Sequence, residues 1–100
     1  MELHTKPIVE DFIQNLETST MAKVSRTIDL LEKFQYSLGM PHSKRIGRNI
    51  FELRIRGKQE VRLVYTFKDD FIILFYGFIK KSNQINQRNL NNIYHLFDSL

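Results

Sequence analysis

Over Phe51–Ile55 and again over Val61–Phe67 large apolar side chains recur at every second position, and this constrains the fold more than any other feature of the chain. Over Ile50–Arg56, Phe51, Leu53 and Ile55 alternate with Glu52, Arg54 and Arg56. Successive side chains on a strand point to opposite faces, so the two sets belong on opposite sides of a sheet. Gly57-Lys58 predicts a tight turn. The stretch from Glu60 to Phe67 is rich in β-branched and aromatic residues, with Val61, Leu63, Tyr65 and Phe67 on one face and Arg62, Val64 and Thr66 on the other. Lys68-Asp69-Asp70 reads as a second turn, and the apolar run Phe71–Ile79 as a strand buried on both faces. Three consecutive strands with short connections predict an antiparallel meander.

On either side of this region the spacing changes to helical. From Lys6 to about Glu17, Ile8, Phe12, Ile13 and Leu16 share a stripe, with Pro7 suited to a first turn. From about Ser19 to Tyr36, Met21, Val24, Ile28, Leu31 and Phe34 repeat at steps of three and four. Thr18, Ser19 and Thr20 offer capping oxygens before this second stripe, and Gly39 and Pro41 end it. Past Lys80-Lys81-Ser82, the polar segment Asn83–Leu100 carries Ile85, Leu90, Ile93, Tyr94, Phe97 and Leu100 at helical spacing. The expected fold is α+β: an N-terminal helical hairpin packed on a small antiparallel β-sheet, plus a C-terminal helix, with the helices on one sheet face. Glu2–Thr5 adds an optional edge strand. One hundred residues without repeats, linkers or low-complexity tracts are expected to form a single domain, residues 1–100.

Several chemistries are excluded at this level. The chain has no cysteine, hence no disulfide and no thiolate-bound metal. His4, His42 and His95 are scattered without partners at ligand spacing, so neither a metal nor another cofactor is expected. No phosphate-binding glycine loop, nucleophile elbow or zinc-protease motif is present. The longest apolar run, Phe71–Ile79, falls short of the about 20 residues a helical membrane span needs, and no leader pattern opens the chain. The expected location is the cytoplasm.

Charge is unevenly placed. Residues 1–40 hold four Lys/Arg against six Asp/Glu, whereas residues 41–100 hold eleven against five. Such a bias fits either an anionic partner or a solvated basic face. Strand parity sharpens the choice by directing Arg54, Arg56 and Arg62 onto the same sheet surface, where like charges repel unless a polyanion is present. Guanidinium suits phosphate, because its planar fork offers two parallel hydrogen bonds and stays charged. Lys58 in the turn and Lys80-Lys81 at the strand end would rim such a site. The alternative pairs Arg54 and Arg56 with Glu52 and Glu60. Tyr65, Tyr76 and Phe78 either stack on unpaired bases or pack in the core.

Phe51-Glu52-Leu53-Arg54-Ile55-Arg56, then Val61-Arg62-Leu63-Val64-Tyr65, then Gly77-Phe78-Ile79-Lys80-Lys81 form an ordered set. Together with the upstream Leu30-Leu31-Glu32 and Gly39-Met40-Pro41, this set resembles the RelE/HigB-type toxins of type II toxin–antitoxin systems, in particular the phage-derived HigB-like branch. The resemblance implies a ribosome-dependent endoribonuclease, an mRNA interferase, that cleaves A-site codons without metal through attack of a 2′-hydroxyl on the adjacent phosphate. It implies catalytic roles for Arg54, Arg62 and Lys80, and RNA contacts for Arg56, Lys58, Tyr76 and Lys81. The implied partners are a cognate helix-turn-helix antitoxin, messenger RNA and the ribosome. Two positions depart from the pattern. Tyr76 stands where the branch often has His, and Asn83-Gln84-Ile85-Asn86 stands where a Thr-Pro commonly precedes the last helix. The same fold also supports a ParE-like inhibitor of DNA gyrase, or an interaction module without catalysis.

Overall fold

The structure, a computed structural model, describes residues 1–100. In chain order the elements are β1 (Glu2–Thr5), α1 (Pro7–Gln14), α2 (Thr18–Phe34), a short 3-10 turn (Gln35–Ser37), β2 (Ser43–Gly47), β3 (Ile50–Ile55), β4 (Val61–Lys68), β5 (Phe71–Ile79) and α3 (Gln87–Asp98). The alternating region forms the expected meander, with β3, β4 and β5 paired antiparallel. The sheet is larger than the expected three strands. It has five, in the order β1-β5-β4-β3-β2.

The optional strand at Glu2–Thr5 forms and runs parallel to β5, so the sheet is mixed rather than purely antiparallel. Strand β2 was not expected. Ser43–Gly47 holds Lys44, Arg45 and one large apolar residue, Ile46, and so shows no hydrophobic alternation. Its edge position explains this, because a strand with one free side tolerates charge that a central strand would not. The two-residue turn Arg48-Asn49 joins it to β3, with Asn49 at φ 55°.

Turn chemistry sets the remaining registers. Asp69 and Asp70 take φ of 50° and 64°, and positive values at both central residues make the hairpin turn that matches strand twist. The β3–β4 connection is longer than the tight Gly57-Lys58 turn expected. It spans residues 56–60 and is closed by Glu60, whose Oε2 accepts from the Gly57 amide at 3.0 Å.

Both sheet faces are covered, which corrects the expectation that all helices share one face. Leu53, Ile55, Val61, Leu63, Tyr65, Phe67, Ile72 and Leu74 pack beneath α1 and α2, against Val9, Leu16, Val24 and Leu31. On the other face Ile50, Val64, Phe75 and Phe78 pack against Ile93 of α3. The reason is β5, whose apolar run presents large side chains to both sides and leaves neither face fit for water. A register irregularity in the β4–β5 pairing at Val64/Tyr65 places both Phe75 and Tyr76 in the α3-side cluster.

Helix boundaries shift from the sequence reading. In α1, Val9 is buried while Ile8 is 53% exposed. Glu17 occupies the N-cap of α2, no side-chain oxygen caps it, and Thr20 is buried instead. That helix ends at Phe34, where Gln35 turns to φ 51°, well before Gly39. The last helix starts at Gln87 because the Asn86 side chain accepts from the Asn89 amide at 2.8 Å, a cap that needs no proline. No helix is long and apolar enough to cross a membrane.

Candidate functional site

Helix α3 covers only part of its sheet face. Beyond Phe78 and Val64 the same face turns polar, through residues that strand pairing brings side by side. Arg54 of β3 is the direct cross-strand partner of Arg62 on β4, and Arg62 in turn pairs with Phe78 of β5. One step along, Glu52 lies opposite Val64, with Lys44 of β2 on its other side. Lys80 follows directly after β5, where its amide donates to the Glu60 carbonyl at 2.7 Å.

These residues form a cleft of about 350 Å³ with no hydrophobic residue in its wall, which Arg54, Arg56, Arg62, Lys80, Lys81 and Glu60 build together with Ser82 and Asn83. Arg62 forms its floor, only 2% exposed, and its Nη1 donates to the Val61 carbonyl at 2.9 Å. Glu52 is equally buried, and its Oε1 stands 3.8 Å from Arg54 Nε and 4.0 Å from Arg62 Nε. These are ion-pair distances too long for hydrogen bonds. Glu52 Oε2, Arg54 Nε and Arg62 Nε accordingly have no hydrogen-bond partner. Arg56 is exposed and pairs with Glu60 at 3.4 Å. Five cations thus face one rim carboxylate, with a second carboxylate beneath them.

The crowding is visible in proton affinities. Burial lowers the pKa of Arg62, an effect that Glu52 opposes and Arg54 reinforces. Burial also lowers Lys80, with Glu52 opposing and Arg62, Arg54 and Lys44 adding to the depression. Lys80 therefore gives up its proton more readily than an ordinary lysine. An oxyanion entering the cleft reverses both effects and supplies acceptors for guanidinium N–H groups. No group of three or more His, Asp or Glu is placed to hold a metal ion.

A family model for phage-derived Gp49-like proteins matches residues 11–98. The chain belongs to this Gp49-like family. No curated protein matches the sequence. Among solved structures, the Gp49-like chain resembles a chain of the YoeB–YefM complex from Staphylococcus aureus, with a TM-score of 0.57 at 18% identity over 82% of this chain and 97% of that one. A second structure, a heterotetrameric YoeB–YefM toxin–antitoxin complex from the same organism, gives 0.54 at 19% identity over 74% and 90%. At this identity the likeness establishes the fold, which is that of the RelE/YoeB type.

The fold brings Arg54, Arg56, Arg62, Lys80 and Lys81 to one cleft. It leaves Lys58 exposed in the β3–β4 connection, outside the cleft wall. Tyr76 faces a neighbouring hollow instead, and its hydroxyl donates to Asn89 Oδ1 at 2.7 Å. Tyr65 is a core residue hydrogen-bonded to Ser43, and burial raises its pKa. Phe78 is buried under α3. The alternative pairing of Arg54 and Arg56 with Glu52 and Glu60 also forms, so these cations line the cleft with carboxylates beside them. Sequence reasoning missed the proximity of Lys44, because it depends on the pairing of β2 with β3.

Proposed function

We propose that this Gp49-like chain is the toxin of a toxin–antitoxin pair, and that it acts as a ribosome-dependent endoribonuclease on messenger RNA. The observation that carries the reading is the single cleft into which β3, β4 and the end of β5 deliver five cations. A phosphodiester is the ligand such a cleft fits best: flat guanidiniums grip its non-bridging oxygens, and clustered charge favours a state with more negative charge than the ground state.

RNA carries its own nucleophile. The 2′-oxygen attacks the adjacent phosphorus, and the bond from phosphorus to the 5′-oxygen breaks. The 2′-hydroxyl loses a proton, the departing 5′-oxygen gains one, and a 2′,3′-cyclic phosphate and a 5′-hydroxyl remain. Arg54 and Arg62 stabilise charge on the phosphate oxygens, and Lys80 adds a third positive charge beside them. Arg56 and Lys81, at the rim, hold flanking phosphates, with Lys58 further out along the strand path. Glu52 keeps the two inner guanidiniums together.

The protein partner in this reading is a small helix-turn-helix antitoxin. The structures of similar fold come from toxin–antitoxin complexes, and the cationic cleft suits an acidic segment of such a partner. The expected compartment is the cytoplasm, where translating ribosomes are found. Induction of the chain in bacteria, followed by mapping of messenger ends, tests the function. New ends inside translated codons support it. Intact messenger with continued translation contradicts it, and gyrase-linked DNA breaks with intact messenger would place the chain with the ParE-like inhibitors.

A further inference from the structure

A second hollow, of about 470 Å³, lies beside the cationic cleft and shares Lys80, Lys81 and Ser82 with it. It opens where β5 loses its edge partner, since β1 pairs only with Phe71–Leu74. Its walls differ in kind from those of the cleft. Phe12, Tyr76 and Phe78 supply aromatic surface, and Asn89 and Asn92 of α3 supply carboxamides.

The Tyr76 hydroxyl orients both carboxamides. It donates to Asn89 Oδ1 at 2.7 Å and accepts from Asn92 Nδ2 at 3.2 Å. Asn89 Nδ2 and Asn92 Oδ1 are left over, one a donor and one an acceptor, with no hydrogen bond of their own. They sit three residues apart on the same helix, and so on one face of it. A fixed donor and acceptor beside an aromatic wall match a nucleobase, which has apolar faces and a donor–acceptor edge.

We propose that this hollow holds the base of an unpaired nucleotide whose phosphate lies in the adjoining cleft, and that Asn89 and Asn92 read the edge of that base. The inference rests on the RNA-cleaving reading for the identity of the polyanion, and it adds the specificity-determining residues. Tyr76 acts here as a wall and as the group that aligns the two carboxamides.

The decisive variant is Asn89→Asp. It retains the oxygen that accepts from Tyr76 and turns the free donor into an acceptor, leaving the packing of α3 undisturbed. The measurement is nuclear magnetic resonance titration of the full chain with each of the four ribonucleoside 3′-monophosphates, with inorganic phosphate as the base-free probe. The nucleotides should shift the side-chain amides of Asn89 and Asn92, while phosphate shifts only cleft residues. Asn89→Asp should change the relative affinity for at least one base by about tenfold, while its added negative charge weakens inorganic phosphate and all four nucleotides in common. Identical shifts from phosphate and nucleotides, or an unchanged ranking of the four bases in Asn89→Asp, would overturn the proposal.

Messenger cleavage separates the two readings. If the chain cuts messenger and Asn89→Asp leaves the codon profile unaltered, the base site fails and the ribonuclease stands. If the chain cuts nothing yet binds nucleotides through these amides, the base site stands and the ribonuclease fails.

Discussion

Arg54 and Arg62 face each other directly across β3 and β4, with the buried Oε1 of Glu52 at 3.8 and 4.0 Å from their Nε atoms. Two like charges placed opposite on a sheet destabilise it, and this pair is withdrawn from water as well. Glu52 is therefore the counter-charge that makes the arrangement tolerable in the free protein. It neutralises one of the two cations, and the remaining charge faces the cleft.

Replacing Glu52 with Gln tests that role. The side chain keeps its shape but loses its charge, so the buried Arg62 and the half-buried Arg54 are left to repel. A loss of about 3 kcal/mol is expected, at the lower end for a broken buried ion pair because the contacts are long. Urea unfolding measures it, and added phosphate should restore part of the loss by binding the folded state. Unchanged stability would mean that the two guanidiniums do not depend on this carboxylate.

Lys80 makes a prediction about pH. Its folded pKa lies below the ordinary lysine value, chiefly through burial, so its charge is lost at lower pH than for an exposed lysine. If that charge supports cleavage, activity should begin to fall on the alkaline side before an ordinary lysine titrates. Lys80→Arg should move the fall to higher pH. The stability effect follows by linkage. The folded state binds this proton less tightly than the unfolded state, so the group opposes folding at neutral pH and the penalty fades as pH rises through the folded pKa. Lys80→Met should therefore stabilise the chain at neutral pH while lowering its activity, a pairing that thermal unfolding and cleavage assays check together.

Gly77 tests the packing of α1 on β5. A Cβ at this position would lie 2.6 Å from Phe12 Cδ2 and 3.1 Å from Leu63 Cδ2. Gly77→Ala should cost about 1–3 kcal/mol through overpacking. Phe12 also walls the proposed base site, so the variant should weaken nucleotide binding more than phosphate binding.

The meander was legible because β3 and β4 repeat with period two and the Asp69-Asp70 turn is written into the chain. That parity correctly put Arg54 and Arg62 on the face opposite Leu53 and Leu63. Strand β2 was not legible, since an edge strand bearing Lys44 and Arg45 has no apolar rhythm to betray it. The position of α3 was also hidden. The stripe of Ile93, Phe97 and Leu100 marks a buried helix face but does not say which side of the sheet it covers. Its placement over Val64 and Phe75 depends on the two-sided burial of β5. The depth of Glu52 and Arg62 was likewise invisible, because it comes from neighbouring strands and not from their own segments.

The central claim is that the cleft formed around Arg54 and Arg62 cuts RNA. Its most direct test is to add the purified chain to ribosomes programmed with a defined messenger and to read the new ends chemically. The account predicts 2′,3′-cyclic phosphate and 5′-hydroxyl ends at the A-site codon, with a loss of about 10²–10³ in rate for Arg54→Ala or Arg62→Ala provided that the variants remain folded. Uncut messenger with the unaltered chain, or full cleavage by folded Arg54→Ala and Arg62→Ala, would contradict it.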